Sequence, residues 1–188
     1  MMCARKLVQS YFGSCDLREA AFTGSDMRSA VFVDCDLSGV ILERADCRSA
    51  TFIRCKLDSS YLTGANFTHA VFQECTFDKA LAGSTRFDAV EFMGDASFRG
   101  ASMRDASFNG TCLNGVDFQG AYLKGVSFPL SDETGIFCVD DNTMKTFFCF
   151  LLSIQVEDME EDTWGALKAI RVAAEKCSRA SDYGVFEE

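Results

Sequence analysis

Residues 45–74 decide the fold, because they divide into consecutive five-residue units: ADCRS, ATFIR, CKLDS, SYLTG, ANFTH and AVFQE. In each unit the first residue is small and the third is apolar. The same spacing runs from Leu7 to Phe92 and, after one inserted residue, resumes from Phe98 to Phe128. A period of five fits neither an α-helix, at 3.6 residues, nor a β-strand, at 2. The sequence therefore predicts a repeat architecture in which each unit packs on its neighbours.

This pattern resembles the pentapeptide repeat family over about residues 5–128. The units AAFTG, ADCRS, ANFTH, ASFRG and AYLKG carry the resemblance. It implies an all-β solenoid, a right-handed quadrilateral β-helix of about six coils with one repeat on each of four sides. The third residue of each unit and the small residue two positions before it are expected to point inward, and the other three outward.

A coil of 20 residues predicts which side chains stack. The centres of one side are Phe12, Phe32, Phe52, Phe72 and Phe92, and the small positions of the next side are Cys15, Cys35, Cys55 and Cys75. Parallel thiols in a column neither converge as a metal site requires nor face one another as a disulfide requires. We therefore expect buried thiols that pack as small apolar groups.

Outward positions beside the centres Phe12 and Phe22 are apolar where water is expected. They are Tyr11, Val31, Val33, Thr51, Ile53, Val71, Ile41, Tyr61 and Leu81. Together they suggest an apolar band that contacts another protein; the alternative is intrinsic strand preference with no partner. The other two sides carry mixed charge. The extra residue near 93–96, with Gly94 and Asp95, predicts a local bulge.

Residues 129–188 lose the period and are predicted to form a capping segment. The oily stretch 147–154 is expected to cover the open end of the β-helix. The acidic run 157–162 precedes an apolar stripe at helical spacing, which predicts an amphipathic α-helix at about 160–180. The stripe is formed by Trp164, Leu167, Ile170, Ala174 and Cys177. The family resemblance favours a homodimer through this C-terminal segment.

Composition limits the classes of function. Ten cysteines without a paired framework or a signal peptide predict a cytoplasmic protein. No apolar run approaches the ~20 residues that span a bilayer, and without a basic stripe we expect no direct nucleic-acid binding. The single histidine, His69, falls at an outward position with no catalytic constellation around it. We expect no enzyme activity, no metal and no cofactor.

The sequence favours a non-enzymatic protein–protein interaction or scaffolding module. The resemblance implies an alternative, a DNA mimic that binds DNA gyrase or topoisomerase IV and protects it from quinolones or toxins. The net charge of −10 is unevenly distributed: residues 5–128 carry 15 acidic and 13 basic side chains, and residues 129–188 carry 13 and 5. The acid therefore lies mainly on the C-terminal segment, whereas a mimic needs negative charge along the rod.

Overall fold

The computed structural model describes residues 6–113 and 115–127, which form a parallel β-solenoid with four sides per coil. One column of bridges climbs through Lys6, Asp26, Asp46, Asn66, Arg86, Ser107 and Ser127, and so rises six times. At about 4.8 Å for each rise, the described rod is roughly 29 Å long. The predicted helix at 160–180, with Trp164, Leu167, Ile170 and Ala174, lies outside the described residues.

Regular strands are short because each side of a coil holds only one repeat. The strands are β1 (Tyr11–Gly13), β2 (Val31–Val33), β3 (Thr51–Ile53), β4 (Val71–Gln73), β5 (Glu91–Met93), β6 (Ala96–Ser97) and β7 (Val116–Asp117). Strands β1 to β5 form one parallel sheet in sequence order, and β6 pairs with β7. The register places Phe12 on Phe32 and Phe32 on Phe52, which confirms the 20-residue coil.

We name the four sides by what they carry, in chain order around the coil. The phenylalanine side has the centres Phe12 to Phe92, and the cysteine side has Cys15 to Cys75 at its small positions. The tyrosine side has the outward ladder Ala21, Ile41, Tyr61, Leu81, Ser102 and Tyr122. The arginine side has the outward ladder from Lys6 to Ser127 described above.

The core is a filled column of centre and small residues. Phe32, Phe52 and Phe72 are fully buried, and their rings stack with centroids 4.8 and 4.9 Å apart. The small centres Cys47 and Ala82 are also fully buried. Phe12, in the first coil, is only half-buried because no described coil lies beneath it. Inward-facing centres and small residues confirm the predicted orientation.

The inserted residue forms the predicted bulge. Strand β5 ends at Met93, Gly94 adopts φ +73°, and β6 begins at Ala96. After this point ladder partners on three sides differ by 21 residues, as in Thr76 with Ser97, before the 20-residue step returns. The bond from the amide of Ser97 to the carbonyl of Cys75 is long, at 3.4 Å. The extra residue is therefore absorbed within one coil.

The corners turn the chain through left-handed backbone. Fifteen non-glycine residues have φ between +50° and +59°, and all of them lie two positions after a repeat centre. This conformation costs an ordinary L-residue about 1–2 kcal/mol. The repeated coil hydrogen bonds hold it in place; the amide of Glu19, for example, donates to the carbonyl of Ser38 at 3.0 Å.

Candidate interaction surfaces

The phenylalanine side presents a flat apolar column to solvent. Val31, Val33, Thr51, Ile53 and Val71 are each half-buried, with their β-branched side chains on the outer face of β2 to β4. The stacked phenylalanines lie directly behind them. At the ends of this column Tyr11 is 69% exposed and Met93 is 45% exposed. The sheet holds all of these positions in fixed register.

The tyrosine side presents a second apolar column. Tyr61 and Leu81 are each 44% exposed, and Tyr122 in the last described coil is 48% exposed. Ile41 is half-buried, as is Ser102, which interrupts the column. Sequence reasoning did not single out Tyr122. Carrying the register through the bulge, from Leu81 to Ser102 and then to Tyr122, identifies it as a member of this ladder.

These two columns do not form the single band that the sequence suggested. Successive ladders begin at Lys6, Tyr11, Asp16 and Ala21, so the columns of Tyr11 and Ala21 occupy alternate sides of a four-sided coil. The charged cysteine side lies between them in one direction and the arginine side in the other. The prediction of one continuous band is therefore wrong: the rod has two separate apolar columns on opposite sides.

Charge on the rod is neutralised locally. Seven of the eight arginines in the described part of the chain pair with an aspartate. The pairs are Arg18–Asp16, Arg28–Asp26, Arg48–Asp46, Arg54–Asp34, Arg86–Asp88, Arg99–Asp117 and Arg104–Asp105. Exposed pairs of this kind contribute little to stability, because water and salt screen the attraction. Their larger effect is on the outer field, which alternates in sign over a few ångströms instead of accumulating.

Several of these pairs lower the pKa of their aspartate. A hydrogen bond from Arg18 lowers the pKa of Asp16 to about 2, and a hydrogen bond from Arg48 lowers the pKa of Asp46. In Asp46 the Oδ1 atom accepts from Arg48 Nε at 2.8 Å, and Oδ2 accepts from Arg48 Nη2 at 2.7 Å. The carboxylates therefore stay ionised well into the acidic range.

The cysteine column lies inside the coil and is buried except for Cys15 in the first coil, which is half-buried. Cys35, Cys55 and Cys75 are buried free thiols, and each donates to two backbone carbonyls. Burial raises the pKa of Cys35, and it also raises that of Cys47 at the centre of a repeat. The column thiols are hydrogen-bonded to backbone carbonyls in the coil interior and pack there as small apolar groups, so packing is the role that this geometry supports.

The remaining candidate residues do not assemble a chemical centre. His69 is exposed at a corner, with φ +59°, as its outward position predicted. Across residues 6–113 and 115–127, no three His, Cys, Asp or Glu side chains lie together as a metal site would require. Cys112 is disulfide-bonded, which corrects the expectation of a wholly unpaired set of cysteines.

Residues 6–113 and 115–127 contain no helical segment with the length and hydrophobicity needed to span a lipid bilayer.

The comparisons with known proteins agree with this geometry. A family model described as "Pentapeptide repeat region" matches residues 5–82, and one described as "Pentapeptide repeats (8 copies)" matches residues 93–128. No curated protein matches the chain.

Solved structures of similar proteins also contain pentapeptide repeats. HetL, a pentapeptide repeat protein involved in heterocyst differentiation regulation in the cyanobacterium Nostoc sp. strain PCC 7120, is 19% identical over 65% of this chain and 78% of its own, with a TM-score of 0.35. A pentapeptide repeat protein from the Arabidopsis thaliana thylakoid lumen is 22% identical over 77% and 88%, with a TM-score of 0.35.

QnrB1, a plasmid-mediated fluoroquinolone resistance protein, is 16% identical over 81% of this chain and 85% of its own, with a TM-score of 0.32. The family models and the four-sided parallel ladder together show that this chain belongs to the pentapeptide repeat family.

Proposed function

We propose that this chain is a non-enzymatic interaction module that binds another protein through its phenylalanine side. The observation that carries the proposal is the column of Val31, Val33, Thr51, Ile53 and Val71 on the outer face of a rigid sheet. An apolar column of this length on the surface is typical of a contact site. Since the stacked rings behind it fix the backbone, little conformational entropy is lost when a partner binds.

A binding role also fits the interior. Each coil is filled by one large and one small residue per side, and the buried side chains are almost all apolar. A rod of this kind offers surface rather than an enclosed cleft with convergent polar groups, which is what enzymes use. We therefore assign the activity to recognition, with the apolar column as the contact and the paired charges beside it as a solvated border.

The test is affinity capture with a surface variant and a matched control. Val31→Glu, Ile53→Glu and Val71→Glu together place three charges on the phenylalanine side without touching the core. Val8→Glu, Ser107→Glu and Gln119→Glu place three charges on the arginine and cysteine sides. We expect the first variant to lose partners that the wild type and the control retain, while both variants melt as the wild type does. Equal capture by all three proteins would refute the proposal.

A second candidate is gyrase or topoisomerase IV binding by DNA mimicry, which the net charge of −10 favours. Against it, residues 5–128 are nearly neutral, and seven of the eight arginines in the described part of the chain pair with an aspartate. A basic DNA-binding groove responds to negative charge accumulated along the rod. A gyrase supercoiling assay with and without ciprofloxacin separates the candidates: inhibition or protection supports mimicry, and no effect from folded protein removes it.

A further inference from the structure

Cys112 carries a disulfide whose second sulfur lies outside the described residues. The other cysteines among residues 6–113 and 115–127 are free thiols, namely Cys15, Cys35, Cys47, Cys55 and Cys75. Within this single chain the second sulfur must therefore belong to one of the remaining cysteines, which are Cys3, Cys138, Cys149 and Cys177.

Cys112 is exposed at the C-terminal end of the phenylalanine side. It comes one position before the buried centre Leu113 and so occupies an outward place in its repeat. A hydrogen bond of 3.1 Å from the amide of Val90 to Thr111 Oγ1 places this repeat directly on the one below it. The cysteine bonded to Cys112 must therefore approach the outer face of the sixth coil.

Cys3 is at the wrong end of the rod to form this bond. The arginine-side ladder rises five times between Lys6 and Ser107, the rung that precedes Cys112, or about 24 Å. Three residues reach at most about 11 Å from Lys6, and disulfide-bonded Cα atoms lie within about 7 Å of each other. Cys138, Cys149 and Cys177 remain, and all three belong to the C-terminal segment.

Burial at the two ends of the rod differs in a way that agrees with this placement. In the first coil, the centres Phe12 and Leu17 are only partly buried. The corresponding centres of the last described coil, Leu113 and Phe118, are 0% and 1% exposed although no described coil lies above them. Met93, lower on the phenylalanine side, is 45% exposed. We infer a cover that lies over the C-terminal end of the rod and does not extend down the phenylalanine side.

We propose that the disulfide of Cys112 fastens the C-terminal segment, through one of its own three cysteines, over the C-terminal end of the rod. The bond holds the segment at the rim of the sixth coil, beside the covered centres Leu113 and Phe118. A crosslink here limits the conformations open to the unattached segment, which favours its packing on the end. The proposal gives this end an intramolecular cover where the family resemblance favours a second copy. It is independent of the proposed function, whose apolar column lies in lower coils.

Peptide mapping of the full-length protein tests the bond. Free thiols are blocked with N-ethylmaleimide in denaturant at mildly acidic pH, and the digest is analysed by mass spectrometry without reductant. We expect the peptide with Cys112 to be joined to one that contains Cys138, Cys149 or Cys177. A blocked Cys112, or a bond to Cys3, would overturn the proposal. So would a bond between two copies, seen as a denatured dimer that dithiothreitol converts to monomer.

Hydrogen exchange of the folded protein tests whether the bond holds the cover in place. Dithiothreitol passes two electrons and two protons to the disulfide, which becomes two thiols, and is itself oxidised to a cyclic disulfide. We expect this reduction to speed exchange in peptides from residues 113–127 and to leave peptides from residues 45–65, in the central coils, unchanged.

The matched control is Cys112→Ser, which cannot form the bond. Its last coil should exchange fast from the start, and dithiothreitol should have no further effect on it, while circular dichroism shows that the rod is retained. Unchanged exchange of residues 113–127 when the wild type is reduced would overturn the proposal. Equal acceleration in every coil would also overturn it, because the bond would then stabilise the whole rod and not the cover of its end.

Discussion

Replacing Phe52 with alanine tests the stacked core directly. Phe52 is 1% exposed, and its ring stacks between Phe32 at 4.8 Å and Phe72 at 4.9 Å, with Phe67 packed edge-on at 6.0 Å. Removing the ring forfeits about 2–3 kcal/mol of transfer free energy. The ladder holds the coils above and below in register, so the cavity collapses little, and its cost brings the total to about 3–5 kcal/mol.

The assay is urea denaturation followed by circular dichroism, with Phe12→Ala as the matched control. Phe12 belongs to the same column, but it is half-buried and stacks on one ring only, at 4.7 Å. We expect Phe12→Ala to cost about half as much as Phe52→Ala, since less surface returns to water. Equal losses for the two variants, or a loss below about 1 kcal/mol at Phe52, would show that the reasoning about the stacked column is wrong.

Two further predictions concern the corners and the aspartates. Ala89 has φ +51°, so Ala89→Gly should relieve the backbone strain and raise the free energy of unfolding by about 1 kcal/mol. Ala65→Gly, at a buried small position, should lower the free energy of unfolding by about as much. A change in the same direction for both variants would contradict the idea that the corners are strained. The folded-state pKa of Asp46 lies below its unfolded value, so its contribution is present at neutral pH and lost as the pH falls through the folded value. The urea midpoint should therefore drop between about pH 5 and pH 2, and Asp46→Asn should flatten that profile; an unchanged profile would count against the pairing.

The arrangement of the inward-facing residues follows from the sequence. A centre such as Phe52 and a small residue such as Ala50 must repeat every five positions because a narrow coil leaves room for one of each on every side. The parallel ladder then fixes the register at 20 residues. The bulge was predictable as well, because one extra residue breaks the series and Gly94 supplies the turn.

The arrangement of the outward-facing residues was less predictable, because core packing does not constrain those positions. The columns of Val31 and Ile41 were read as one band, although their ladders stand on opposite sides of the coil. The sequence pattern does not assign Tyr122 to the tyrosine-side column, because that assignment requires carrying the 20-residue register past the bulge. The disulfide at Cys112 also could not be read from spacing, since pairing depends on which Cβ atoms face each other in space.

The phenylalanine side is the surface that we propose to contact a partner. Hydroxyl-radical footprinting of the captured complex tests it most directly, because Tyr11 and Met93 on this side and Val8 on the arginine side are all exposed in the free protein. We expect Tyr11 and Met93 to become protected in the complex while Val8 stays as reactive as before. Protection of Val8 with unchanged labelling of Tyr11 and Met93 would contradict it.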